Sequence, residues 1–549
     1  KIGAGDHICA YFTAKQSIDT EALKAQLKNI LPQYMIPTAY KQLEKMPMTQ
    51  NGKMNLKALP EPEMAEMGNY TPPSTETEAY FCTLFERILE REKVGINDNF
   101  FELGGTSLVV SSIIIEATKA QFEITYGDVF SRPTPKQLAA MFEHETKAEE
   151  KNPLDDLADY DYHTLMPVLE QNTLEAFRNE EKVAIGNILL TGATGFLGIH
   201  FLREFLKKEE GIAYCLMRKG KFASTKERLI SMLVYYFDQD FEDEFDKRII
   251  IREGDVTHYK DFEQLKDEPI DTVFNCAANV KHFSKGTDIE DVNVGGVLNC
   301  IRFCEEKNSR LVHISTTSVG GFSIDGALSG KVLTEQALYF GQALDTKYGH
   351  SKFEAERAVL EHIKTGLSAK IMRVGNLSAR DSDGEFQINF ASNSFVGRLK
   401  AYKMIGSFPY NMMSSKSELA PIDSTAEAIL QLSKTPKSCC IFHPYNNHTV
   451  FMGDIITAMQ DKGLKVELSE HEDFERALEL AGKDPEKAKV LSSMVAYQNM
   501  GHGREVTPVP VDNEYTMQVL YRMNYRWPMT SKDYMVRFLE ALDGLGFFS

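Results

Sequence analysis

Three glycines set the first constraint on the fold. Ile188-Leu189-Leu190-Thr191 runs apolar into Gly192-Ala193-Thr194-Gly195-Phe196-Leu197-Gly198, and Phe201, Leu202, Phe205 and Leu206 follow at helical spacing. A strand, a Gly-rich turn and an amphipathic helix in that order suit a dinucleotide. Side chains at the glycines would block the approach of a pyrophosphate to the backbone and the helix N-terminus. Gly192, Thr194, Gly195, Phe196, Leu197 and Gly198 are therefore the expected cofactor contacts of a βα unit. Strand patterns at 187–191, 212–217, 249–252, 272–275, 311–315 and 369–373 alternate with helical ones. Alternation of this kind predicts an α/β fold, a Rossmann-type doubly wound parallel sheet.

The end of the second strand bears on the cofactor. It reads Cys215-Leu216-Met217-Arg218-Lys219-Gly220-Lys221, with Arg228 nearby. An acid at this distance would take the ribose 2′-hydroxyl of NAD, whereas arginine accommodates a 2′-phosphate. The chain has 61 Lys+Arg against 79 Asp+Glu, a net charge of -18. A basic cluster at this one place, in so acidic a chain, points to NADPH. Asp255 and Val256, after the third strand, are placed to hold the adenine edge, and Ala277 ends the fourth strand among small residues that leave room for the cofactor's centre. The same net charge argues against nucleic acid or an anionic membrane as partner, and no apolar run is long enough to span a bilayer.

The 549 residues predict several domains. Pro-rich breaks near 60–73 and an acidic run over 143–161 divide the chain. The expected pieces are 1–66, a carrier-sized helical piece over 67–148, a linker over 149–180 and a long α/β piece over 181–549. The first piece pairs a strand over 8–13 with a helix over 18–31, and its start reads as a cut into a longer chain. In the second, Thr75 caps a helix whose apolar face carries Tyr80, Leu84, Phe85 and Ile88. Eight scattered Cys without a Cys-x-x-Cys pair predict reduced thiols in a cytoplasmic protein. His282, His313 and His350 lack metal-ligand spacing, so no metal is expected. No nucleophile elbow is present.

Tyr348 and Lys352 lie one helical turn apart. A phenol is a poor acid at neutral pH, and a neighbouring cation lowers its pKa. Upstream, His313-Ile314-Ser315-Thr316-Thr317-Ser318-Val319-Gly320 ends a strand with hydroxyl groups, and Asn293 begins a helix. This order, after the Gly-rich turn, resembles the extended short-chain dehydrogenase/reductase superfamily over about the last two-thirds of the chain. The resemblance implies Thr316, Tyr348 and Lys352 as catalytic residues, with Tyr348 the proton donor, Lys352 also on the nicotinamide ribose and Asn293 in support. Arg373-Val374-Gly375-Asn376 and Pro421-Ile422-Asp423 look like later landmarks of that family, with Asn376 a cofactor contact. Val319-Gly320-Gly321 departs from its usual Val-Tyr-Gly.

Asp98-Asn99-Phe100-Phe101-Glu102-Leu103-Gly104-Gly105-Thr106-Ser107-Leu108 resembles the phosphopantetheine attachment motif of carrier proteins. It implies 4′-phosphopantetheine on Ser107, at the start of a helix over 108–119, placed there by a phosphopantetheinyl transferase. Leu31-Pro32-Gln33-Tyr34-Met35-Ile36-Pro37 and Asn51-Gly52-Lys53 resemble the last core motifs of adenylation domains. The large ATP-binding subdomain is missing, so Lys53 has no expected role here. Adenylation tail, carrier and reductase in this order resemble the terminal end of a nonribosomal peptide synthetase. The implied reaction is reduction of a carrier-bound thioester, held in cis and supplied by upstream synthetase domains, to an aldehyde, and with a second hydride to an alcohol. A single-module carboxylic acid or aminoadipate reductase, or a redox-inactive cyclising domain, stays open as an alternative. Stretches 386–395 and 402–413 are expected to wall the substrate pocket.

Overall fold

A computed structural model describes residues 9–14, 18, 23, 37, 39–43, 45–47, 59–60, 70–89, 91, 93–101, 103, 105, 110, 113–114, 116–117, 120, 122, 124, 128–129, 132–143, 157, 159–280, 287–344, 346–390, 393–482 and 506–548. It divides into two compact units, Lys1–Ala148 with Val495–Gly503, and Glu149–Met494 with Arg504–Ser549.

In the first unit, Cys9–Phe12 pairs in parallel with Ala39–Gln42. The expected helix over 18–31 and Lys53 fall outside the described residues, apart from single positions of the former. The helix Glu76–Leu89 starts as the sequence predicts, with the Glu78 N–H donating to Thr75 Oγ1 at 3.1 Å. Its inner face holds Phe81, Leu84, Phe85 and Leu89, and it packs with Pro135–Glu143 around Phe100, Val110 and Ile113. A Cβ on Gly105 would lie 2.3 Å from the Phe100 ring, so the second glycine of the Gly-Gly pair is held against the carrier core. Ser107 itself lies outside the described residues.

The second unit is built on a seven-stranded, fully parallel sheet: β1 (Ile188–Thr191), β2 (Ala213–Met217), β3 (Ile249–Glu253), β4 (Thr272–Asn275), β5 (Arg310–Thr316), β6 (Ala369–Val374) and β7 (Ile441–Phe442). Their order across the sheet is β7-β6-β5-β4-β1-β2-β3. The order reverses between β1 and β4, where a doubly wound sheet opens a crevice at the strands' C-terminal ends. Both faces are covered, which is why the strands read as unbroken apolar runs. Leu190 and Phe274 join α1 (Phe196–Lys208) on one face, while Leu189 and Val273 join α3 (Gly296–Lys307) and α4 (Lys347–Lys364) on the other. On the first face, α2 (Thr225–Phe237) and α5 (Ile422–Leu432) add Leu229, Leu233 and Ile429.

One expectation is corrected here. The stretch 149–180 is not a linker throughout: Leu165 and Leu169 are buried against Phe353, and Asn172 donates to the Ile441 carbonyl at 2.9 Å and accepts from the Cys440 N–H. Acidity up to Asp161 hid an apolar helix pair that seals the edge beside β7. Of the two stretches expected to wall the substrate pocket, Ile388 and Tyr410 are exposed, whereas Tyr402, Phe408 and Phe386 lie inward. They are buried in a separate core with Tyr534 and Phe538, where Ser378 Oγ and Tyr534 Oη lie 2.6 Å apart.

One ion pair lies wholly inside this unit. Glu356 of α4 and Arg373 of β6 are both fully buried, with Arg373 donating from Nε at 3.0 Å and from a terminal nitrogen at 2.7 Å to Glu356 Oε2. Arg373 also donates to the Ala337 carbonyl at 3.0 Å, and the Ser315 hydroxyl of β5 donates to Glu356. Removing one partner strands the other without water. Arg373→Met should therefore cost the second unit about 3–5 kcal/mol, read as the drop in its unfolding free energy in urea.

Candidate active site

The glycine turn carries the strictest geometry. Gly192 has φ +72°, and a Cβ there would sit 2.7 Å from the Ala277 nitrogen. A Cβ on Gly198 would sit 2.1 Å from the Gly192 carbonyl oxygen. Both glycines are thus required by backbone packing as well as by access for a ligand. Gly195 caps α1 with no side chain, so Phe196, Leu197 and Gly198 present their first-turn N–H groups at an open helix end. Thr194 is half-buried in the same turn. Across the crevice, the Thr191 hydroxyl donates to Asn275 Oδ1 at 2.6 Å and accepts from the Ala277 N–H at 3.4 Å, tying β1 to β4 at the switch point. This fits a pyrophosphate: the turn admits backbone and ligand and little else.

Beyond β2, Arg218 and Arg228 meet. Arg228 donates to the Arg218 carbonyl at 2.5 Å, and burial together with the Arg218 charge holds the Arg228 pKa below its ordinary value. Arg218 is mostly exposed, with Asp255 Oδ2 at 3.4 Å. Two guanidinium groups thus stand together with one carboxylate, Asp255, on Arg218 alone, which leaves a net positive corner. Asp255 spends its other oxygen on the Thr257 N–H and hydroxyl, at 3.0 and 2.8 Å. The Val256 carbonyl is fixed by Asn299 at 2.9 Å.

Toward β5, the sequence-predicted trio comes together. Tyr348 and Lys352 ride α4, and Thr316 ends β5, where its Oγ1 accepts from the Ser318 N–H at 3.1 Å. The Tyr348 phenol is hydrogen-bonded with the Thr316 hydroxyl. Burial pushes the phenol up to about 12, and hydrogen bonding to Thr316 lowers it. Lys352 donates to the Ile314 carbonyl at 2.8 Å, and burial pulls it down to about 8. Each group is held toward its neutral form by desolvation.

Asn293 occupies one π-helical turn, Asp291–Gly295, just before α3, rather than an ordinary helix start. Its amide is fully engaged: Oδ1 accepts from the Asn279 N–H at 2.8 Å, and Nδ2 donates to the Asn279 carbonyl and to Ser351 Oγ, both at 3.0 Å. Ser351 in turn donates to the Tyr348 carbonyl at 2.9 Å. Asn293 is therefore a positioning residue that locks the loop after β4 to the helix carrying Tyr348. Among the described residues no group of His, Cys, Asp and Glu is arranged to hold a metal ion. No helix among them is long and apolar enough to cross a membrane.

Comparison with known proteins identifies both units. An NAD-binding family model described as male sterility protein matches residues 190–429, and a phosphopantetheine attachment site model matches residues 79–142. The chain is 40% identical to a thiolation-reductase di-domain from an archaeal non-ribosomal peptide synthetase, at TM-score 0.77, covering 88% of this chain and 100% of the other. The chain belongs to the thiolation–reductase family of nonribosomal peptide synthetases. A linear gramicidin synthase polypeptide of Brevibacillus parabrevis is 28% identical over 533 residues, which is 94% of this chain and 10% of that protein. The thiolation–reductase chain thus spans about a tenth of that relative's length. The Aureusimine biosynthetic cluster reductase domain, at 24% identity and TM-score 0.58 over 71% of this chain and 99% of the other, shares the reductase fold.

Sequence reasoning missed three residues of the reductase site. Ser351 and Glu356 sit one before and four after Lys352; an acid one turn along a buried helix face was the available signal for Glu356. Glu418 is the third, and its only sequence signal is its place two residues ahead of the buried Ala420-Pro421 step. A test follows from the glycine geometry. Gly198→Ala must push the Gly192 carbonyl away and distort the turn, at about 1–3 kcal/mol. The dissociation constant for the nicotinamide cofactor should rise about tenfold or more, read by fluorescence titration.

Proposed function

We propose that the reductase unit releases a carrier-bound peptidyl or aminoacyl thioester as an aldehyde, with NADPH as reductant. The observation that carries this reading is the Thr316–Tyr348 hydrogen bond beside the buried Lys352, at the mouth of the glycine-turn crevice, on a chain that also holds a carrier unit. In this reading Gly192, Thr194, Gly195, Phe196, Leu197 and Gly198 hold the pyrophosphate. Arg218 and Arg228 take the 2′-phosphate, and Asp255 and Val256 border the adenine. Ala277 flanks the centre, while Lys352 and Asn376 meet the nicotinamide end. The cofactor's contribution, when bound, is a hydride for the thioester carbonyl carbon.

The rest is done by the chain. Thr316 and Tyr348 donate hydrogen bonds to the carbonyl oxygen as it gains charge, and Tyr348 then gives up its proton. A phenol raised to about 12 is fully protonated at neutral pH, which is the form a proton donor needs. Lys352 is charged below about 8 and steadies the phenolate left behind. The C–S bond breaks next, leaving thiol on the carrier arm and free aldehyde. A second round would give the alcohol. Upstream synthetase domains supply the acyl group, and a phosphopantetheinyl transferase arms Ser107. The free thiols of Cys82, Cys215, Cys276, Cys300, Cys304, Cys439 and Cys440 suit a cytoplasmic setting. The intact Tyr348–Lys352 pair favours reduction over redox-inactive cyclisation.

Two outcomes test the proposal. Tyr348→Phe should lower thioester-dependent NADPH oxidation by about 10²–10⁴-fold, the usual worth of a positioned proton donor, with the NADPH dissociation constant unchanged; retention of most activity would refute the donor role. Replacing Arg218 and Arg228 together by Ala should weaken NADPH about tenfold to a hundredfold, as loss of charge-assisted bonds does. NADH binding should hardly change, and an equal loss for both cofactors would refute the 2′-phosphate assignment.

A further inference from the structure

We propose that Glu418 reads a positive charge on the tethered acyl group, so that the enzyme favours thioesters of amine-bearing acyl chains over neutral ones. This inference rests on the reductive reading of the same site.

Its first support is placement. Thr316 pairs with Val374 across the β5–β6 ladder, so Gly375 and Asn376 leave the sheet beside the reacting hydroxyls. Glu418 lies directly on that exit. A Cβ on Gly375 would be 1.8 Å from Glu418 Oε1 and 2.7 Å from Tyr445 Cβ, so the glycine is the seat of the carboxylate. Asn376 donates to both oxygens, from its N–H at 3.0 Å and from Nδ2 at 3.3 Å. Leu377–Ser378 pairs with Ala420–Pro421, and the Ala420 N–H donates to the Asn376 carbonyl at 2.9 Å. The backbone on either side of the contact is therefore locked, and the carboxylate is fixed at the crevice end.

Its second support is charge. No Lys, Arg or His among the described residues neutralises Glu418: burial raises its pKa to about 7, and only the Asn376 N–H opposes that rise. Tyr445, the nearest titratable neighbour, donates its hydroxyl to the Val511 carbonyl at 2.9 Å. Glu418 is half-buried, so its carboxylate is not sealed from solvent. Its two oxygens accept one bond each from Asn376 and keep further acceptor capacity. Holding Asn376 needs two acceptor atoms and no charge. The charge is a cost in the free protein, which a cationic ligand offsets. An ammonium group beside the thioester carbonyl supplies it, from either the α-carbon or a basic side chain.

The test uses the full chain with NADPH and three pantetheine thioesters: leucyl, N-acetyl-lysyl and N-acetyl-leucyl. We expect the leucyl or the N-acetyl-lysyl thioester to exceed the neutral one by about tenfold or more in kcat/KM, and which of them does so identifies the source of the charge. In Glu418→Gln that ratio should fall toward one, and Glu418→Asp should restore part of it. Equal kcat/KM for all three thioesters in the wild type would overturn the proposal, as would an equal loss for all three in Glu418→Gln. If Glu418→Gln does not fold, the wild-type ratio decides alone. Wild-type chain that reduces none of the three would overturn the reductive reading itself, a result distinct from reduction without preference.

Discussion

The Glu356–Arg373 pair is what sets α4 in place. Apolar packing alone allows a helix to slide or turn on a sheet at little cost, because one leucine replaces another. A buried ion pair does not allow this, since each charge must meet its partner or stay desolvated. Here the pair joins three elements: Arg373 on β6, Glu356 on α4 and, through its hydroxyl, Ser315 on β5. Lys352 lies one turn before Glu356 and Tyr348 one turn before that, all on one helix face, while Thr316 follows Ser315. The clamp and the proposed catalytic residues are thus consecutive steps on the same helix face and the same strand. A slip of one helical position would remove the Thr316–Tyr348 bond together with the ion pair. The far side of the pair is closed by His443, whose ring faces Arg373 at 3.2 Å, so water has no route to it.

Burial does two opposite things to the residues the clamp positions. It raises the phenol and lowers the ammonium, so both are held toward neutrality. For a proton donor the first shift is useful: Tyr348 is loaded at any physiological pH. The second is a cost, limited by the Ile314 carbonyl and by Glu356, whose charge favours the ammonium. The arrangement suits reduction, where the phenol must begin protonated, better than the reverse oxidation, where it must begin as phenolate.

Most of the sheet was legible because its signals are local. The glycine turn and the strand end at Arg218 sit within one βαβ unit, and the Tyr348–Lys352 spacing lies within one helix turn. The order of the strands was legible only as a class, and β7 escaped notice because a two-residue strand has no periodicity. What the sequence hid is whatever needs partners far apart in the chain. Asn172 reaches Ile441 across 269 positions, and Glu418 reaches Asn376 across 42. The π-helical turn at Asn293 was hidden for another reason: one extra residue in a helix leaves the apolar pattern nearly unchanged, yet it rotates Asn293 inward toward Ser351. The spacing of Tyr348 and Lys352 shows proximity and not solvent access, and burial is the largest influence on the phenol.

The crevice also has a polarity that no single motif displays. Arg218 and Arg228 stand beyond β2, and Glu418 stands beyond β6, with β1, β4 and β5 between them. Four strand spacings of ~4.8 Å put these opposite charges ~19 Å apart, with Lys352 between them. In a chain of net charge -18, an anion is drawn to the corner where Arg218 and Arg228 stand together. On the proposed reading an amine is drawn to the other end, where no described Lys, Arg or His neutralises Glu418. Protein walls of low dielectric carry such a field farther along the groove than bulk solvent would. A phosphate-bearing cofactor and an amine-bearing acyl chain would therefore enter the same groove from opposite ends without competing. The reacting centre then falls between them, where Thr316, Tyr348 and Lys352 already stand.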